Sequence, residues 1–183
     1  MKGRLGGIVY ILCGLVVGIS AAQAWITARS AWKESFRKHT SELAAYCKLA
    51  LESHTDLMIS ERFNELTRDN DTQWALIQDA NGRVSFSTSA GEIGTTLDSP
   101  RAKAASGTTD MLVQETSILG PVEVDVSLGK FGVLRVCGTS SSMKNLETWL
   151  GLCGVLGALA LLAAGWQAFK AEPAAPPPQQ QSL

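Results

Sequence analysis

Two long runs of apolar and uncharged residues near the ends of the chain dominate its hydropathy pattern. Residues 5–28 and 148–169 contain no Asp, Glu, Lys or Arg. As helices they would measure about 36 and about 33 Å, against a hydrocarbon core of about 30 Å. Trp149 and Trp166 stand near the two ends of the second run, where membrane interfaces favour aromatic rings. The pattern predicts two transmembrane helices.

The charged residues mark the part between these runs as a domain in water. Of 16 Lys and Arg and 17 Asp and Glu residues, only 4 lie outside positions 29–147. The predicted segments are a cytoplasmic N-terminus at 1–4, transmembrane helices at 5–28 and 148–169, an extracytoplasmic domain at 29–147 and a disordered Pro/Gln-rich tail at 170–183. The basic start and the sequence Ala22-Gln-Ala24 also fit a cleaved secretory signal. Both interpretations place residues 29–147 outside the cytoplasm.

An apolar stripe with steps of three and four residues predicts one long helix over residues 29–67. Its larger members are Trp32, Phe36, Leu43, Tyr46, Ala50 and Leu57. The stripe is wider than a two-stranded seam needs, so we expect one side to pack on the domain's own sheet and the other on a second subunit. The prediction is a homodimer formed along residues 29–66.

Alternating segments beyond residue 70 predict five strands. They cover residues 73–78, 83–89, 110–116, 122–127 and 132–137. Asp79-Ala-Asn-Gly82 is a turn signal that joins the first two strands into a hairpin. Asp98 or Ser99 is expected to cap a short helix with Pro100 at its first position and Gly107 after its end. Because strands and helices do not strictly alternate, the fold class is predicted to be α+β, with a mainly antiparallel sheet of five strands.

The charge balance and the motifs exclude several classes of function. A formal net charge of -1 gives no field that would gather nucleic acid. Nucleophile-elbow, zinc-protease, P-loop and dinucleotide-binding motifs are all missing from the sequence. We therefore expect a protein that is not an enzyme, with no catalytic residues and no cofactor.

The cysteines and histidines give no metal site. No pair of cysteines has the spacing of a zinc or haem motif. His39 and His54 would be about 22 Å apart on one helix, so they cannot share an ion. An extracytoplasmic compartment would permit a Cys47–Cys137 disulfide, and two separate buried thiols are the alternative.

One set of residues is a candidate ligand site. Arg83, Ser85 and Ser87 lie on one face of the second strand, and Arg135 on the last strand would add a cation. Guanidinium groups with hydroxyls suit a carboxylate, and Trp74 would form a wall. A solvated sheet face is the alternative for these polar residues, and a core position is the alternative for Trp74. Glu123 and Asp125 are interpreted as solvated carboxylates on the wet face of their strand.

The order of elements resembles a known family. A membrane helix continues into a long helix, which is followed by the hairpin Trp74-Ala-Leu-Ile-Gln-Asp-Ala-Asn-Gly-Arg-Val-Ser-Phe-Ser-Thr88. Two further segments come after the hairpin, Glu92-Ile-Gly-Thr-Thr-Leu97 and a final Phe131-Gly-Val-Leu-Arg-Val-Cys137. This order resembles a bacterial extracytoplasmic Cache (PAS-like) sensor domain of chemoreceptors and sensor kinases. The resemblance covers about residues 25–170. It implies a five-stranded antiparallel sheet, often a small ligand between sheet and loops, and dimers built along the long helix.

The predicted function follows from this resemblance and from one departure. Family members usually continue past the second span into an output domain, whereas here residues 170–183 leave no room for one. We therefore expect a sensor or accessory protein of the bacterial inner membrane, with a periplasmic domain that binds a small organic molecule or a partner. It would signal through its spans to another membrane protein. The alternative is a structural or scaffold component of an envelope complex without a small-molecule ligand.

Overall fold

The computed structural model describes residues 2–115 and 120–170. The helices and strands are α1 Lys2–Glu52, α2 Asp56–Leu66, β1 Thr72–Gln78, β2 Val84–Ser87, α3 Pro100–Ser106, β3 Leu112–Glu115, β4 Val122–Ser127, β5 Val133–Gly138 and α4 Ser141–Lys170. The chain divides into two units, of which one is Thr27–Lys144 and the other comprises the two terminal segments. Residues 171–183 of the predicted tail lie outside the described residues.

The strands form one antiparallel sheet in the order β2-β1-β5-β4-β3. The central strand β5 pairs with β1, where Leu76 lies opposite Arg135, and with β4, where Asp125 lies opposite the same arginine. The predicted α+β class and the five-stranded antiparallel sheet are confirmed. The strands β2 and β3, which form the two ends of the strand order, each cover four residues where seven were predicted. Residue 116 of the predicted third strand lies outside the described residues.

The main core lies between α1, α2 and one face of the sheet, which we call the helix face. Its fully buried members include Cys47 on α1, Ile59 on α2, Ala75 on β1, Val124 on β4 and Leu134 on β5. Alternation along each strand sends these side chains to the same side. Aromatic rings close the two ends of this core: Trp32 stacks on Phe36 with 5.2 Å between centroids, and Phe63 tilts against Phe86 at 6.4 Å.

The predicted single helix over 29–67 is wrong, because the helix breaks at residues 53–55. His54 adopts a left-handed φ of 55°. The hydroxyl of Ser53 donates to the carbonyl of Leu49, and both the amide and the hydroxyl of Thr55 donate to the carbonyl of Ala50. These bonds satisfy the last carbonyls of α1 and let the chain restart as α2.

The break changes the meaning of the apolar stripe. Phe36, Leu43 and Ala50 are buried in the core of their own domain, whereas Leu57 on α2 is 72% exposed. Leu49 and Met58 are also exposed beside the break. Most of the stripe therefore packs within one chain, and the apolar surface left over is a small patch at the junction of the two helices.

The turn and the short helix follow the sequence prediction. The side chain of Asp79 accepts the amides of Asn81 and Arg83, and Gly82 adopts a φ of 84°. A Cβ at Gly82 would lie 2.8 Å from the Leu97 carbonyl, so the turn requires glycine. Ser99 caps α3 by accepting the amide of Ala102 at 3.3 Å, which settles the capping residue as Ser99.

One described helix, α1, is long and apolar enough to cross a membrane over part of Leu12–Glu52. Its apolar residues in this stretch, such as Leu15, Val16 and Ile19, are exposed. A second, shorter apolar helical stretch, Gly151–Ala163, lies within α4. Among the described residues, one candidate spanning helix is therefore found where the sequence predicts two.

Candidate functional site

The face of the sheet opposite the helix face carries charge. Alternation along β4 and β5 places Glu123, Asp125 and Arg135 on this side, and α3 packs over it with Ala102 and Ala105 as its buried residues. We call it the α3 face. Because alanines are short, α3 lies close to the strands, and the arginine next in the helix, Arg101, reaches down to the carboxylates.

Four side chains form a paired ion network on the α3 face. Arg135 Nε lies 3.2 Å from one oxygen of Asp125, and Arg101 Nε lies 3.2 Å from the other. Glu123 approaches Arg101 Nη1 at 3.0 Å and Arg135 Nη2 at 3.8 Å. Gln114 accepts a further hydrogen bond from Arg101 at 2.5 Å. Two guanidinium groups thus face two carboxylates, and the network carries no net charge.

The prediction that Asp125 is solvated is wrong. Its side chain is 0% exposed, and that of Glu123 is 28% exposed. The pattern of alternating valines and acids suggested a wet face, but it does not reveal that α3 covers that face. A buried carboxylate is tolerated here because two guanidinium groups compensate its lost hydration.

The five predicted ligand residues do not converge. Arg135 lies 5.7 Å from the ring of Trp74, so the structure brings these two together. Arg83 and Ser85 are exposed on and beside the edge strand. Ser87 instead donates to Glu92 at 2.8 Å. With Arg135 already engaged by two carboxylates, the described residues of this set do not form a cradle for a carboxylate ligand.

The two cysteines of the domain are separate buried thiols. Cys47 and Cys137 are both free, one on the helix face and one on the α3 face. Desolvation by burial raises the pKa of Cys47 to about 12 and that of Cys137 to about 11. Both thiols are therefore protonated at neutral pH and are poor nucleophiles or metal ligands. The alternative of separate thiols is confirmed over the disulfide.

Concave surface is found on the other side of the domain, between α1 and α2. A groove of about 430 Å³ is lined by His39, Glu42, Leu43, Tyr46, Met58, Glu61, Arg62 and Glu65. His39 lies 3.9 Å from Glu42, and Arg62 lies 2.5 Å from Glu65. Among the lining residues, three glutamates stand against one arginine and one histidine, and Leu43, Tyr46 and Met58 are the apolar members. Sequence reasoning missed the groove because it exists only when the helix breaks and α2 folds back beside α1.

No group of three or more His, Cys, Asp or Glu side chains in the described part of the chain has the geometry to hold a metal ion. The two histidines lie in different parts of the domain: His39 lines the groove, and His54 lies at the helix break.

No family model matches the sequence, and no curated protein matches it either.

Proposed function

We propose that this chain is a membrane-anchored extracytoplasmic sensor or accessory protein, as its resemblance to Cache domains implies. The observation that carries the proposal is the continuity of α1. One helix of 51 residues begins in the apolar N-terminal stretch and ends in the core of the domain. We expect a signal between the apolar stretch and the domain to pass along this helix.

The finer topology belongs to this proposal. Residues 5–28 and 148–169 both cross the bacterial inner membrane, both ends of the chain are cytoplasmic, and the central domain is periplasmic. The exposed apolar side chains of α4, including Trp149, Leu156 and Trp166, support the second span. Coupling to a separate membrane protein would then pass between helices in the bilayer.

Recognition is assigned to the groove between α1 and α2. Its volume is that of a typical small-molecule site. The groove has more acidic than basic side chains, which favours a ligand with a protonated amine over a carboxylic acid. The acidic residues are Glu42, Glu61 and Glu65, and the basic ones are Arg62 and His39. Two exposed apolar side chains, Leu57 next to the groove and Met58 in its lining, also suit the homodimer predicted along residues 29–66.

Thermal unfolding of the full-length chain in detergent tests the ligand. A series of small amines and a matched series of carboxylic acids are added at rising concentration. An amine that binds should stabilise the fold by about 2.7 kcal/mol at 100 times its Kd. The Glu61→Gln variant should lose the shift. Glu34→Gln, which affects a surface pair with Arg37 outside the groove, should keep it.

The second candidate function is a scaffold with no small-molecule ligand. It is favoured by the α3 face, where Arg101 and Arg135 are neutralised by the protein's own carboxylates. If no amine or acid shifts the unfolding temperature, the sensor proposal fails for these ligand classes. Binding of a protein partner that Glu61→Gln weakens would then support the scaffold.

A further inference from the structure

One carboxylate connects three distant parts of the domain. Asp71 stands directly before β1, and its Oδ2 accepts a hydrogen bond from the indole of Trp32 on α1 at 3.2 Å. Its Oδ1 accepts the amide and the hydroxyl of Ser141, the first residue of α4, at 2.8 and 2.9 Å. The partners are 39 and 70 residues away in sequence.

The backbone around Asp71 is fixed independently of these bonds. Asp69 accepts the amide of Asp71 at 3.1 Å and the hydroxyl of Thr72 at 2.8 Å, forming an Asx-type turn. The carbonyl of Asp71 accepts the amide of Thr139 at 2.8 Å, which ties the start of β1 to the end of β5. The carboxylate is therefore held in place by the sheet, and α1 and α4 attach to it.

Close packing makes the same region stiff. A Cβ at Gly138 would lie 2.4 Å from the ring of Phe36 and 2.8 Å from the Asp71 carbonyl. Phe36 stacks on Trp32, the donor to Asp71. A displacement of this part of α1 cannot be absorbed by empty space here, so it must move the end of β5 or break the bond between Trp32 and Asp71.

Charge strengthens the attachment of α4. The first amides of a helix have no partner within the helix, and a carboxylate that accepts one of them also interacts favourably with the helix dipole. Asp71 supplies such an acceptor from outside the helix. Loss of its charge would weaken both attachments at once.

We propose that Asp71 is the positioning residue that couples α1 to the start of α4, so that a change in α1 is transmitted to the second helix through its carboxylate. The coupling itself needs no ligand. Only its use in signalling rests on the proposed function.

Hydrogen–deuterium exchange of the full-length chain in detergent, without ligand, tests the coupling. Trp32→Phe keeps an aromatic ring to stack on Phe36 but removes the N–H donor. We expect the amides of residues 141–144 to exchange about fivefold faster in this variant, the factor that corresponds to a lost helix cap. Asp71→Asn should accelerate the same amides at least as much. Trp32→Phe should add nothing in the Asp71→Asn background.

A matched control loosens α1 elsewhere. Glu115→Gln removes the ion pairs that hold Lys33 and Arg29 of α1 to β3, and it should leave residues 141–144 at the wild-type rate. Equal acceleration by Glu115→Gln and Trp32→Phe would overturn the proposal, because any loosening of α1 would then act on α4. Wild-type exchange in the folded Trp32→Phe variant would overturn it as well. Since no ligand is used, these outcomes are separate from failure of the ligand-binding proposal.

Discussion

The two faces of the sheet are both buried, but different interactions hold the layers that cover them. The helix face packs large apolar side chains from α1 and α2 against Val124 and Leu134. On the α3 face, the short helix α3 contributes Ala102 and Ala105 and is held by the paired charges around Asp125. One cover is attached by apolar area and the other by a few directed ionic contacts.

This difference determines how each face responds to change. Apolar packing loses stability in proportion to the atoms removed, and a side chain of similar volume restores most of it. An ion network fails when one member is removed, because the remaining charges stay buried without compensation. On the α3 face, stability should therefore depend mainly on whether a substitution keeps the charge. On the helix face, it should depend mainly on whether a substitution keeps the side-chain volume.

The largest effect is expected at Asp125. Asp125→Ala leaves Arg101 and Arg135 with an uncompensated buried charge and should lower the free energy of unfolding by about 3–5 kcal/mol. Asp125→Asn, which keeps the shape, should restore only a small part. The measurement is denaturant unfolding of the full-length chain in detergent. Asp98→Ala, which removes an exposed pair with Lys103, serves as the control and should have no measurable effect.

The next effect tests the helix face. Leu134 is fully buried, and Leu134→Ala should cost about 2–5 kcal/mol through lost transfer energy and a cavity. Leu134→Met, which nearly keeps the volume, should cost less than about 1.5 kcal/mol. If Asp125→Asn were as well tolerated as Leu134→Met in the same unfolding assay, the two faces would not differ in the way described.

Alkaline pH probes both faces through their thiols. Burial raises the pKa of Cys47 and Cys137 to about 12 and about 11, so the fold favours the protonated thiols. Their contribution to stability is complete below the unfolded pKa of about 9 and is lost as pH rises towards the folded values. Each thiol should cost about 1.4 kcal/mol per pH unit across its window. Unfolding measured from pH 8 to 10.5 should show the slope, and Cys47→Ala and Cys137→Ala should each remove part of it. An unchanged slope in both variants would assign it to other groups.

The smallest effect concerns the attachment of α3. Ser99→Ala removes the hydrogen bond to the amide of Ala102 and should cost about 1 kcal/mol. Ser99→Asp should restore the cap. Exchange of the α3 amides reports the change locally. Faster exchange across β4 as well would mean that the cap, in addition to Arg101, holds α3 on the sheet.

Local patterns predicted the elements of this fold well. Alternation located all five strands, Asp79 to Gly82 marked the hairpin turn, and Pro100 and Gly107 bounded α3. The break at His54 was not predictable in the same way. It uses no glycine or proline, only a left-handed histidine whose neighbours Ser53 and Thr55 cap the helix end. The groove depends on this break and was missed with it.

The candidate site was predicted less well because it depends on which layer covers which face. Trp74 and Arg135 do meet, since they lie on adjacent strands. Arg101 was not considered, because its role exists only once α3 lies over β4. The sequence did hold one signal for this network, because Asp125 and Arg135 carry opposite charges at paired positions of adjacent strands. Cross-strand pairs of opposite charge stabilise a sheet. The prediction that the acids are solvated did not take this pairing into account.

The edge of the sheet at β2 also affects whether molecules of this protein can pair strand to strand at high concentration. The amide of Val84 donates to the Thr95 carbonyl, the amide of Gly94 donates to the Val84 carbonyl, and Arg83 bridges to Thr96. A strand from another molecule would find these backbone groups occupied. Open edges are templates for edge-to-edge aggregation, so the loop after β2 protects the protein from polymerising on this side during overproduction. Substitutions that detach residues 94–96 should therefore reduce its solubility before they alter its core.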